Sequence, residues 1–287
     1  MKVGFIIALV LAIPLATLHA KTPEWDRAYQ LYQKTEYKQS LALLRSAPRQ
    51  DSDSTLLIGK NYYGLGDYKD ATDALEKAAA LAPKSSEIQG WLGRAWGRRA
   101  DTSMALLAPH YAGKARDAFE TAVQLDPNNH DALDDLFEYY MAAPGFLGGG
   151  IDKAEALARH IASLDAAWGQ RVQAQILLDR KDFNSAEQHL RQAVELAPKQ
   201  VGRVLDLAKY LARRGRTQES DAVFAEAAKI APQDPEVVFA RAKTLIEQKR
   251  NLPDARRLLE QYMSLSLTPE NPSRAEAAEL LKKTSAR

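Results

Sequence analysis

The densest set of side chains able to do chemistry is His130, Asp131, Asp134, Asp135 and Glu138. His130, Asp134 and Glu138 recur every four residues, which puts an imidazole and two carboxylates on one helical face. Nitrogen and carboxylate donors of this kind suit a divalent metal. A single helix seldom closes a coordination sphere, however, and no second histidine stands nearby at a paired spacing. The same residues also read as a solvated acidic face in which Asp131 favours the helix start. A second set is Ala143-Pro144-Gly145-Phe146-Leu147-Gly148-Gly149-Gly150. Its glycines nearly match a phosphate loop, but Ile151 stands where lysine is required and the preceding segment is helical, so a structural turn is expected. His19, His110, His160 and His189 are isolated. The chain has no Gly-x-Ser-x-Gly elbow, no His-Glu-x-x-His helix and no cysteine nucleophile.

Composition narrows the class. The absence of cysteine rules out a disulfide framework, so the fold rests on its core, and 46% hydrophobic residues suffice for one. Met1 and Lys2 precede an apolar stretch from Val3 to Leu18, interrupted by Pro14 and followed by Ala20 and the polar run Lys21 to Asp26. Residues 1–20 therefore read as a secretory signal peptide too short to be a comfortable membrane span. Cleavage after Ala20 is expected, with a retained amino-terminal anchor as the alternative because Leu18 is larger than the usual residue at that place. A periplasmic or secreted protein with no membrane span after signal removal follows. The formal net charge of +2, without a basic block, argues against a nucleic-acid partner.

The elements that would position these groups show in a repeated alphabet. Gly59, Tyr62, Ala71, Leu75, Ala78 and Pro83 are echoed by Ala186, Leu190, Ala193 and Pro198, then by Ser220, Phe224, Ala227 and Pro232. From Pro198 to Pro232 the period is 34 residues. Small residues at fixed slots, with proline closing each unit, are the mark of stacked helical hairpins. Close approach of two helices leaves room only for Gly, Ala or Ser, which predicts Gly59 opposite Ala71 and Ala174 opposite Ala186. Nothing alternates with the period of a strand.

On these residues the chain resembles the tetratricopeptide repeat family. The Pro144-to-Gly149 pattern, with the longer insert before it, resembles an insert in a group of exported bacterial repeat proteins. The resemblance implies an all-α, right-handed superhelical solenoid of antiparallel helix pairs. About seven hairpins are expected over 21–263, with inserts near 99–114 and 143–150, a flex near residue 150, and a capping helix and tail over 264–287.

The resemblance also implies that first helices line a concave groove. Carried onto this sequence, the groove holds Trp25, Tyr29, Tyr32, Leu56, Lys60, Tyr63, Arg94 and Arg98. It continues with Asp131, Asp134, Glu138, Met141, Trp168, Arg171 and Gln175, then Leu205, Lys209 and Arg213, and Phe239, Lys243 and Ile246. The clamp by which some relatives hold a chaperone's acidic carboxyl terminus is not matched, since Leu56 and Lys60 fill its first pair of slots, and Asp131 and Asp135 would repel a carboxylate. The expectation is a non-enzymatic scaffold of the cell envelope, without cofactor, binding a peptide or protein partner. The alternative is a metal- or small-ligand-binding protein, or an enzyme, built on His130, Asp134 and Glu138.

Overall fold

The computed structural model describes residues 22–46 and 51–285. The export segment expected over 1–20 lies outside the described residues. Of fifteen α-helices among the described residues, the first fourteen pack as consecutive antiparallel pairs. The pairs are α1 (Pro23–Gln33) with α2 (Tyr37–Ser46), α3 (Ser52–Gly64) with α4 (Tyr68–Leu81), and α5 (Ser86–Thr102) with α6 (Ala108–Leu125). Next come α7 (His130–Ala142) with α8 (Ile151–Leu164) and α9 (Ala166–Asp179) with α10 (Phe183–Leu196). Then follow α11 (Val201–Arg213) with α12 (Thr217–Ile230) and α13 (Pro235–Glu247) with α14 (Leu252–Ser264). A last helix, α15 (Arg274–Ser285), packs on α14 and α13. No strand occurs among the described residues, and no helix of theirs is long and apolar enough to cross a membrane. This is the all-helical solenoid of stacked pairs that the repeat pattern implied.

Local chemistry sets the helix ends. The side chains of Asp51, Ser85, Asn129, Asp165, Asp182 and Asp234 accept backbone N–H groups in the first turns of α3, α5, α7, α9, α10 and α13. These otherwise unpaired donors are what an N-cap satisfies. Five hairpins share one turn, in which Thr35, Gly66, Lys181, Gly215 or Lys249 takes a positive φ. The next residue's N–H then reaches back to the carbonyl five residues earlier, as Asp67 does to Tyr62 and Asp182 to Leu177, both at 2.9–3.0 Å. That is the left-handed helix stop.

Packing explains the repeated alphabet. In all seven hairpins the first small slot of the second helix is buried: Ser40, Ala71, Ala115, Ala154, Ala186, Ser220 and Ala255. A Cβ on Gly59 would lie 2.5 Å from Leu75, and one on Gly93 would lie 2.4 Å from the Phe119 ring. The large residue four positions after the small slot thus sets the clearance, because it reaches across to the first helix. Gly93→Ala is therefore expected to lower unfolding free energy by about 1–3 kcal/mol through overpacking, read as a shift in the urea midpoint at constant slope.

The two inserts behave differently. Most of the extra length in the third hairpin becomes helix: α5 and α6 have 17 and 18 residues, against 13 and 14 in α3 and α4. Since Gly93 and Ala115 hold the usual slots, both extensions fall on the connecting-loop side, and the hairpin projects by about 5 Å, one helical turn. Trp96 and Tyr111 stack across it at 5.4 Å, with Arg99 4.5 Å from the Tyr111 ring centre and Lys114 4.0 Å from that of Trp96. The glycine-rich insert is a turn. A 3₁₀ segment spans Gly145–Leu147, and Gly148 and Gly150 adopt φ of 85° and 137°. The Leu147 carbonyl accepts from Tyr139 Oη at 2.8 Å and from Arg116 Nη1 at 3.3 Å, which moors the turn to α7 and α6.

Candidate functional site

First helices of successive hairpins lie side by side along the inner face, and their side chains form a ladder. Lys60 of α3 meets Glu87 of α5 at 2.5 Å. Arg94 of α5 donates through Nε to Asp135 of α7 at 2.6 Å and lies 3.8 Å from Asp131. Asp134 of α7 accepts from Arg171 of α9 and from the Trp168 indole N–H, the latter at 2.8 Å. Glu138 accepts from Gln175 at 3.0 Å and lies 3.8 Å from Arg171. Each rung joins residues 27 to 41 positions apart, roughly one repeat.

The residues assigned to the groove therefore split into groups. Lys60, Arg94, Asp131, Asp134, Glu138 and Arg171 are brought together, but to one another. Trp168 and Phe239 are core residues, 3% and 5% exposed, as are Tyr32, Leu56 and Leu205. Placing Trp168 on an open surface is thus corrected: its ring stacks 4.6 Å from His130 and packs in a cluster with Leu133, Phe137 and Ile176. Arg98 turns towards the edge, donating to Tyr68 Oη at 3.3 Å and Asp101 at 3.1 Å. Tyr63 is half-buried, edge-on to Trp91 at 5.5 Å, and burial pushes its phenol up. Trp91, outside the assigned slots, is the inner-face residue that sequence reasoning missed. Lys60 and Arg94 stand over its ring at 4.9 and 5.0 Å.

The metal reading gains nothing from this geometry. His130 is engaged with Trp168, Asp134 with Arg171, and Glu138 with Gln175. Among the described residues no group of three or more His, Cys, Asp or Glu side chains is arranged to hold a metal ion.

Beyond α9 the ladder opens. Lys209 and Arg213 of α11 form no ion pair and donate no side-chain hydrogen bond among the described residues. They line two adjoining cavities, of about 330 and 690 Å³. Asp206 sits among Lys209, Arg171, Arg203 and Arg213, and burial still pushes its carboxyl up. Glu236 also stands near Lys209 and Asp206, and Arg171 is already held by Asp134 and Glu138. The larger cavity is lined by Ala212, Phe239 and Ala240 and by the acids Glu236, Glu247, Glu270 and Glu276. Lys243 lies 3.8 Å from Glu276 of α15. The far end of the chain also reaches its beginning: Arg274 Nη1 donates to Thr35 Oγ1 at 3.4 Å, and Glu270 helps raise the Tyr32 and Tyr37 phenols after burial.

The pair at Arg94 predicts a titration. Burial pushes the Asp135 carboxyl up to about 6, against the pull of Arg94, with Asp131 and Asp134 adding to the rise. A raised carboxylate pKa means that the folded state binds the extra proton, so this group's contribution to stability is greatest below about pH 4 and is lost as pH rises through about 6. An Asp135 side-chain NMR titration is expected to show a midpoint near 6, with Arg94 charged throughout. A midpoint near 4 would contradict the burial argument.

Comparison with known proteins agrees with this geometry. Tetratricopeptide repeat family models match residues 56–107 and 177–243. No curated protein matches the sequence significantly. A tetratricopeptide repeat protein from Parabacteroides merdae ATCC 43184 is similar in structure, at TM-score 0.59 and 15% identity, over 92% of this chain and 98% of that one. A thermophilic tetratricopeptide repeat protein of Thermus thermophilus gives 0.53 and 20%, over 66% and 97%. The Cut9–Hcn1 hetero-tetramer of the APC/C gives 0.50 and 16%, over 90% of this chain and 48% of that one. Tetratricopeptide repeat models thus match two stretches of the chain, and the same paired helices run on either side of them in a fold shared with solved repeat proteins.

Proposed function

We propose that this protein is a non-enzymatic scaffold of the cell envelope, holding a peptide segment or protein partner on its inner face between α9, α11, α13 and α15. Tetratricopeptide repeats generally mediate protein–protein interaction, and one observation selects this stretch. The inner-face charges from α3 to α9 pair with one another, whereas Lys209 and Arg213 border open cavities and form no ion pair within 4 Å among the described residues, with Asp206 and Glu236 the nearby carboxylates. A partner supplying a carboxylate there, with an apolar side chain against Phe239 and Ala240 and a basic group towards Glu247 and Glu270, would complete the pattern. The envelope setting rests on the signal-like residues 1–20.

The test is affinity capture from solubilised envelopes with the purified protein as bait, followed by identification and direct titration of what is retained. Saturable binding of a defined partner at moderate ionic strength is expected. Retention of nothing above a scrambled-charge control would overturn the reading. Amino-terminal sequencing checks export separately: a first residue at Lys21 supports it, and an intact Met1 in the soluble fraction opposes it.

A further inference from the structure

Met104, Leu106 and Phe146 are 73%, 89% and 81% exposed, well above the other exposed apolar residues, and all three belong to the two inserts. Leu106 is the extreme. It stands in the turn joining α5 to α6, where the Leu107 and Ala108 N–H groups both donate to the Met104 carbonyl, at 2.8 and 3.2 Å. Both helices of the third hairpin run about a turn longer than those of the second, so this turn projects beyond its neighbour.

Beside Leu106 lies a hollow. The projecting tip and the turn of the second hairpin enclose a cavity of about 430 Å³. It is lined by Tyr68 and Lys69 from that turn and by Arg99, Met104, Leu107 and Tyr111 from the third hairpin. Arg99 is drawn against the aromatic lining, 4.5 Å from the Tyr111 ring centre, and donates to Thr72 Oγ1 at 2.9 Å and to Tyr111 Oη at 3.3 Å. Leu106 does not itself line the cavity. An aliphatic knob and an aromatic and aliphatic hole therefore sit side by side on one protrusion.

Two features name the occupant. A patch that carries knob and hole together is self-complementary: turned about a two-fold axis, each knob faces the other's hole. The charges round the hollow are also of both signs. Asp67 and Lys69 line it, Lys69 pairs with Asp73 at 2.8 Å, and Arg98 beside Tyr68 pairs with Asp101 at 3.1 Å. A partner of one charge sign meets like charges on this rim, whereas a second copy presents both signs in reversed order. We infer that two copies of this chain associate tip to tip about a two-fold axis, each placing Leu106 in the other's hollow. Phe146 extends the apolar contact, because Arg116 of α6 holds the neighbouring Leu147 carbonyl to the third hairpin. The pair then presents two inner faces at once, which raises avidity for a partner with two binding segments. The association itself does not depend on the inner-face reading.

Sedimentation equilibrium of the full chain from about 2 to 200 µM tests it, since a contact confined to hairpin tips is small and reversible. A monomer–dimer equilibrium is expected within that range. L106E should weaken the dimer at least about tenfold while leaving the circular-dichroism helix signal intact, and L196E, at the end of α10 on the opposite edge, should leave it unchanged. The chain has no cysteine, so single substitutions report the geometry. Mixed L106C and K69C chains of different tag length should form a disulfide-linked pair on mild oxidation, and mixed L106C and L196C chains should not. A wild type that stays monomeric throughout, an L106E variant that dimerises as well as the wild type, or L106C joining L196C as readily as K69C would each overturn the tip-to-tip dimer. So would a monomeric wild type whose L106E variant loses an envelope protein, because the hollow would then seat that protein.

Discussion

Trp168→Ala is expected to be the most destabilising single substitution on the inner face, at about 3–5 kcal/mol. The indole is 3% exposed and fills the cluster of Leu133, Phe137, Val172 and Ile176 between α7 and α9. It also stacks on His130 and donates to Asp134, so truncation opens a cavity and removes one of the two donors that hold that carboxylate. Trp168→Phe keeps most of the apolar contact and loses the indole hydrogen bond, for which about 1 kcal/mol is expected. Stability in a solenoid comes from neighbour-to-neighbour interfaces, so weakening the α7–α9 contact should also broaden the urea transition or split it in two. An alanine variant within about 1 kcal/mol of wild type would show that Trp168 is not the core residue described here.

The largest functional effect is expected from K209E/R213E. Neither side chain forms an ion pair within 4 Å among the described residues, but both favour the buried Asp206 carboxylate and Lys209 that of Glu236, so reversing them should lower stability somewhat and should weaken retention of a captured partner at least about tenfold in protein that circular dichroism shows to be folded. The loss should shrink at high salt, because the contact is electrostatic and partly exposed. Asp134 and Glu138 make the contrast. Changing both to lysine sets two cations against Arg171, which now holds their carboxylates, so the main result should be lower stability, with weaker binding only as a consequence of unfolding. Were the acidic pair to control binding in folded protein, and K209E/R213E to leave it unchanged, the contact surface would lie around α7.

Much of the fold was legible because it is local. The slots from Ser40 to Ala255 repeat since each helix pair meets the same crowding at its crossing, and caps such as Asp51 and Asp234 act within three residues. The site was less legible. A slot pattern identifies which side of a helix faces inward but not what stands opposite, so Arg94, Asp134 and Arg171 could be assigned to the groove without their mutual pairing being visible. The insert of the third hairpin shows in the sequence as extra length, but its conversion into an added turn of α5 and α6 depended on Trp96 and Tyr111 meeting across the hairpin.

By itself the amino-acid sequence determined the helix pairs, their stops and the small-residue crossings, because each depends on side chains a few positions apart or on one hairpin's own packing. Only the tertiary structure decided which inner-face charges are quenched, which stay open at Lys209 and Arg213, and that Arg274 meets Thr35. Those outcomes follow from small rotations accumulated over successive hairpins. No single repeat encodes their sum.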